Sequence, residues 1–122
     1  SMELKYAMVF VSDIEKAKMF YRDKLGFPLK SERQDIRSAF FDTGGVTLGV
    51  HVPSEKNRYK AQIGRSTGIL FKVPNVEAAV SELKAREVTF TLTEGQAPER
   101  PDKAYFADQD GNEFGLIETE PY

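Results

Sequence analysis

The sequence predicts an α+β fold in which one unit, a strand, a helix and then further strands, is used twice. Three observations predict it. The chain repeats itself. Apolar spacing within each half switches between the strand and helix periods. Glycine-bearing turns recur just before the last strand of each half. The repeat can be read directly. YAMVFVSDIEKA, from Tyr6, overlays GILFKVPNVEAA, from Gly68, at an offset of 62. FDTGGVTLGV, from Phe41, overlays ADQDGNEFGL, from Ala107, at an offset of 66. Gly45 then meets Gly111, and Gly49 meets Gly115.

The first half opens on a strand through Tyr6–Val11, followed by the helix start SDIE. Ser12 is placed to cap and Glu15 to reach back as a capping box. Ile14, Ala17, Tyr21 and Leu25, with Phe20 beside them, have helical spacing, and Gly26 supplies the stop. Strands are expected at Leu29–Gln34, Ser38–Asp42 and Val46–Val52. The polar stretch Pro53–Thr67 reads as a loop that also links the halves. The second half opens on a strand from Gly68, then a helix capped by Asn75 with Val76, Ala79, Val80 and Leu83 on one stripe. Strands follow at Val88–Thr93, Ala104–Ala107 and Glu113–Ile117, with a loop over Glu94–Lys103. The Gly-Gly and Asp-Gly pairs before the last strands are turn chemistry that uses positive φ. The division is thus a first module of about residues 3–52, a linker of about 53–66 and a second module of about 67–118, in one domain of 122 residues.

Composition narrows the function classes. A 40% hydrophobic and 30% charged chain is ordinary for a globular domain. A formal net charge of −2 argues against nucleic acid as partner, since phosphate binding needs a basic face. The one basic run, KNRYKAQIGR (Lys56–Arg65), fits a solvated loop. With no cysteine there is no disulfide, thiolate metal site or thiol nucleophile. No apolar run reaches the length of a membrane span and no signal-peptide pattern is present, so the expected location is the cytoplasm and no membrane is expected as partner.

Strand alternation sorts the side chains onto two faces. One face collects Ala7, Val9, Val11, Leu48, Val50, Val52, Ile69, Phe71, Val73, Phe114 and Leu116. It is wholly apolar, the natural bed for the helices. The other collects Tyr6, Met8, Phe10, Thr47, Gly49, His51, Gly68, Leu70, Lys72, Glu113, Gly115 and Ile117. Its apolar surface with sparse polar groups suits a small-molecule pocket or a partly buried subunit interface.

VSDIEKAKMFYRDKLGF and FADQDGNEFGLIE resemble the opening and closing signatures of the vicinal oxygen chelate superfamily. It includes glyoxalase I, extradiol dioxygenases, fosfomycin-resistance enzymes and bleomycin-resistance proteins. The resemblance spans about Leu4 to Glu118. It implies two βαβββ modules forming a curled mixed sheet around a cleft, with helices on the outer face. It also implies a homodimer, with swapped and unswapped forms both open. Metal-dependent members place His and Glu ligands at four strand positions, which fall here on Tyr6, Gly49, Gly68 and Gly115. Three of these carry no ligand atom, and a phenol needs deprotonation from a pKa near 10 to bind metal. No metal and no cofactor are therefore expected. A displaced site on His51 and Glu113 is the alternative, though they lie near opposite ends of their strands. For His51 alone, a hydrogen-bonded residue at a strand end is the plainer reading.

The expected function is sequestration of a hydrophobic or aromatic organic molecule. Tyr6, Met8, Phe10, Gly49, His51, Gly68, Leu70, Lys72, Glu113 and Gly115 form the candidate binding set, and no residue is assigned a catalytic role. The glycines are expected to leave space for the ligand, each with bulge or sheet curvature as its structural counterpart. Lys72 and Glu113 are placed to fix charged substituents. The loop within EGQAPERPDKAY is a candidate lid or a plain connection. A glyoxalase-type lyase or isomerase, using His51 or Glu113 as a base, and an interaction module covered by a partner chain are the competing expectations.

Overall fold

The computed structural model describes residues 1–91 and 103–120. The chain forms two compact units, Ser1–Gly64 and Arg65–Tyr122. The expected loop over Glu94–Lys103, apart from Lys103 itself, lies outside the described residues, as do Leu92 and Thr93 of the expected strand.

The first unit runs β1 (Tyr6–Phe10), α1 (Ile14–Lys18), β2 (Leu29–Arg33), β3 (Ser38–Phe41) and β4 (Thr47–His51). Its sheet has the order β1-β4-β3-β2, with β1 and β4 parallel and the other pairs antiparallel. The second unit repeats this plan with β5 (Ser66–Lys72), α2 (Val76–Ala85), β6 (Thr89–Thr91), β7 (Lys103–Ala107) and β8 (Glu113–Ile117). Its order is β5-β8-β7-β6, again with only the first pair parallel. The fold is α+β with two βαβββ modules, as the repeat required.

The helices differ from expectation in two details. Asp13, not Ser12, caps α1, its carboxylate accepting from the Lys16 amide at 2.9 Å. Beyond Lys18 the helix widens into a π-helical segment, Met19–Lys24, whose Leu25 amide bonds the Phe20 carbonyl five residues back. The wider turn lets the adjacent aromatics Phe20 and Tyr21 both enter the core, where Tyr21 meets Phe41 at 5.7 Å between centroids. In the second module Asn75 caps α2 as expected, through the Ala78 amide at 2.7 Å. The Glu118 carboxylate also accepts from the Val76 amide at 2.7 Å, tying the start of α2 to the residue after β8.

Each helix packs on the face that alternation reserved for it. Val9, Val11, Ala39, Phe41, Leu48 and Val50 are buried in the first module. In the second, Phe71, Phe106 and Phe114 stack on one another at 5.4–6.3 Å. The turn between β7 and β8 is fixed by buried Asp108, whose carboxylate accepts from the Asp110 and Asn112 amides and from Asn112 Nδ2 at 2.8–2.9 Å. Gly111 supplies the positive φ, 83°, that this turn requires. The two antiparallel hairpins differ by one residue. Phe40 faces Gly49 across β3 and β4, whereas Tyr105 faces Gly115 across β7 and β8. The offset of 66 therefore holds for the last strands, while the preceding strands correspond at 65, a shift that the gapless overlay concealed.

Candidate functional site

The helix-free face of the first sheet carries Tyr6, Met8 and Phe10 on β1, Phe40 on β3, and Thr47, Gly49 and His51 on β4. Register pairs Tyr6 with Thr47, Met8 with Gly49, and Phe10 with His51. Tyr6 is 56% and Met8 41% exposed, so two large side chains lie open on a strand face. Gly49 itself is buried. A Cβ placed on it would stand 2.5 Å from Met8 Sδ and 3.1 Å from Phe40 Cδ1. The second sheet repeats the device: a Cβ on Gly115 would stand 2.6 Å from Leu70 Cδ2 and 3.1 Å from Tyr105 Cε1. Leu70 is 47% exposed.

These distances revise the role expected of the glycines. Gly49 and Gly115 do leave room, but that room is filled by neighbours from the flanking strands. The result is an apolar row, Met8–Gly49–Phe40 in one module and Leu70–Gly115–Tyr105 in the other, with an aromatic ring on the third strand of each. Gly68 differs. Nothing lies within 4 Å of where its Cβ would be, and its φ is +72°. The β5–β8 register slips between Ser66 and Leu70, so Gly68 sits in a bulge, and its freedom of φ explains the glycine.

The polar groups are held separately in each module. In the first, Ser38 Oγ lies 2.8 Å from His51 Nδ1, and the His51 ring meets Phe10 edge-on at 6.3 Å. Lys30 Nζ donates to Thr47 Oγ1 at 3.1 Å beside a depression of about 280 Å³ lined by Tyr6, Ile36 and Phe40 among others. In the second, Thr91 donates to the Glu113 carboxylate at 2.6 Å, and Lys72 is exposed at the end of β5. His51 and Glu113 belong to different units.

The four positions that the resemblance maps to metal ligands, Tyr6, Gly49, Gly68 and Gly115, do not fit a divalent ion. Gly49 and Gly115 are flanked by apolar side chains, and Gly68 carries a bulge. Among the described residues no three His, Cys, Asp or Glu side chains are grouped to hold one. Among them, too, no helix is long and apolar enough to cross a membrane.

Residues 3–116 match the model of the Glyoxalase/Bleomycin resistance protein/Dioxygenase superfamily. The chain belongs to that superfamily. No curated protein matches it. Among solved structures it is similar to a superfamily member from Sphaerobacter thermophilus DSM 20745, at 30% identity and TM-score 0.80 with 98% of each chain covered. It is also similar to TnmS3, an antibiotic-binding protein from Streptomyces sp. CB03234, at 26% identity and TM-score 0.74, again with 98% of each chain covered. A mutant of the fosfomycin resistance protein FosX from Listeria monocytogenes, complexed with manganese(II), shares the fold alone, at 18% identity and TM-score 0.71 over 99% of this chain and 92% of its own.

Within this superfamily member, sequence reasoning missed four residues of the helix-free faces. Phe40 and Tyr105 were open to discovery, since counting back across each turn places both beside the paired glycines. Ser38 needed the same count. Tyr59 carried no such signal, because it lies in the expected linker. That stretch forms a 3₁₀ turn, Arg58–Gln62, whose Tyr59 ring stacks on Phe10 at 4.4 Å and 10°.

Proposed function

We propose that this protein binds a hydrophobic or aromatic organic molecule on the helix-free faces of its sheets, without a metal ion and without catalysing a reaction. The observation that carries the reading is the pair of equivalent apolar rows, Met8–Gly49–Phe40 and Leu70–Gly115–Tyr105. Their glycines stand where ligands would be needed for a chelated ion, and Met8 and Leu70 beside them are exposed. Aromatic and thioether side chains suit planar, polarizable ligands. The antibiotic-binding neighbour TnmS3 supports the same class. The binding set we propose is Tyr6, Met8, Phe10, Gly49, His51, Gly68, Leu70, Lys72, Glu113 and Gly115, and we add Phe40 and Tyr105 because they lie against the glycines. On the resemblance, we further infer a cytoplasmic homodimer whose chain is one domain of two modules.

Titration calorimetry with a panel of planar aromatic antibiotics tests the reading, using protein purified without chelators. Saturable binding with a negative heat-capacity change is expected, and metal analysis should find no stoichiometric ion. Stoichiometric manganese, nickel, zinc or iron would overturn it in favour of a chelate-dependent enzyme. One observation favours an acid/base alternative of the lyase or isomerase type: His51 and Glu113 are both oriented by hydroxyl partners, as proton-transfer groups often are. Turnover of an α-hydroxy carbonyl compound, abolished by His51→Gln or Glu113→Gln, would establish that alternative.

A further inference from the structure

We propose that His51 is a specificity-determining hydrogen-bond acceptor, and that the preferred ligand carries an acidic hydroxyl, phenolic or enolic, on its planar apolar frame. This rests on the binding function proposed above and names the chemistry that the face selects.

The argument begins with one proton. Ser38 is 3% exposed, and its hydroxyl donates to the Ile36 carbonyl at 3.0 Å while lying 2.8 Å from His51 Nδ1. A carbonyl only accepts, and a serine hydroxyl has a single hydrogen. With that hydrogen committed to Ile36, the short contact to His51 must be Nδ1–H donating to Oγ. An imidazole protonated at Nδ1 presents a lone pair at Nε2. Among the described residues, nothing donates to that nitrogen.

The ring is also held in place. Phe10 meets it at 82° between planes, and Phe10 is itself backed by the stacked ring of Tyr59. Two residues back along β4, on the same face, Gly49 lies between Met8 and Phe40. That step is roughly 7 Å along a strand, comparable to the length of a two-ring aromatic frame. A flat frame resting on Met8 and Phe40 thus brings its end to His51. A hydroxyl there satisfies Nε2, whereas an ether or a hydrocarbon leaves it dry and unpaired. An acidic hydroxyl suits a neutral imidazole better than an alcohol does, and an anion is disfavoured by the facing lone pair.

His51 is the only histidine of the chain, so its nitrogen resonances are unambiguous. The test uses protein labelled with nitrogen-15 histidine at a mildly alkaline pH. The probes are 2-naphthol, 2-methoxynaphthalene and naphthalene. The free protein should show a protonated-type Nδ1 and an unprotonated-type Nε2, with only 2-naphthol shifting Nε2. Affinity for 2-naphthol should exceed that for the ether by about tenfold. Ser38→Ala should mix the tautomers and narrow the preference. His51→Phe should abolish the preference for 2-naphthol over its ether. A dominant Nε2–H tautomer overturns the inference without recourse to any variant. Equal affinity for the three probes overturns the choice of ligand and leaves the binding function standing. Binding of none removes the binding function, and the inference falls with it.

Discussion

Replacing Gly68 with alanine separates two physical roles for one glycine. If Gly68 creates space for a ligand, the added methyl should weaken binding and leave stability alone. The structure argues the reverse, because nothing lies within 4 Å of the new Cβ while φ is +72°. A left-handed residue with a Cβ costs about 1–2 kcal/mol. The smaller entropy of unfolded alanine returns about 0.4–1 kcal/mol. The net loss is about 1 kcal/mol, and with a urea m-value of about 2 kcal/mol/M it lowers the midpoint by about 0.5 M. Equilibrium urea unfolding, with an unchanged m-value, is the assay. Gly68→Asn should recover part of the loss, since asparagine tolerates this region. A Gly68→Ala protein as stable as the parent but impaired in aromatic-ligand binding would refute the bulge argument and restore the space-making one.

Gly49→Ala should change stability by less than about 1 kcal/mol, because the atom it displaces most is the end of flexible, half-exposed Met8. The Met8 methyl resonance should move, and weaker binding of planar aromatics should accompany it. Asp108→Ala removes the acceptor for three hydrogen bonds in the β7–β8 turn and should cost about 2–4 kcal/mol in urea unfolding. Lys18 is held above the ordinary lysine range by the hydrogen bonds it donates to the Glu15 and Glu32 carboxylates. A raised folded-state value means its contribution is complete below the unfolded lysine value near 10.4 and fades as pH climbs through the raised one. The stability gap between the parent and Lys18→Met should therefore stay constant from pH 7 to about 10 and shrink above that. Dialysis against EDTA should leave aromatic-ligand affinity and melting temperature unchanged, whereas a loss of either would mark a resident metal.

The repeat and the strand faces were legible because they rest on side-chain period alone. Val9, Val11, Leu48, Val50, Phe114 and Leu116 all fall on the helix-bearing face, as alternation required. Asn75 was legible as a cap because only one good capping residue precedes α2. Ahead of α1 two candidates, Ser12 and Asp13, stand side by side, and pattern does not choose between them. The π-helical widening was hidden because its cause is tertiary: Phe20 and Tyr21 both bury, which no single helical stripe encodes. At the site, the paired glycines were legible, and their neighbours Phe40 and Tyr105 only through a count across each turn. What fills the space beside Gly49 depends on which residue of β3 lies across from it, and a one-residue difference in turn length moves that partner from position 39 to position 40. Tyr59 reaches Phe10 through a loop, where period carries no information.

The strand order has a bearing on how the polypeptide emerges from synthesis. In each sheet the final strand of the module is internal, lying between the first strand and the third. Neither sheet can assemble outward from a growing edge, since β1 gains its parallel neighbour only when β4 arrives. The first sheet has all its strands once His51 is made, whereas the second waits for Ile117. During that interval β5 has only its helix to cover it, with its exposed Leu70 and an unpaired edge open to wrong partners. Chains held on the ribosome by a spacer long enough to bring residue 64 out of the exit tunnel should therefore already protect β1 amides from exchange, while chains that expose no more than residue 110 leave β5 amides unprotected.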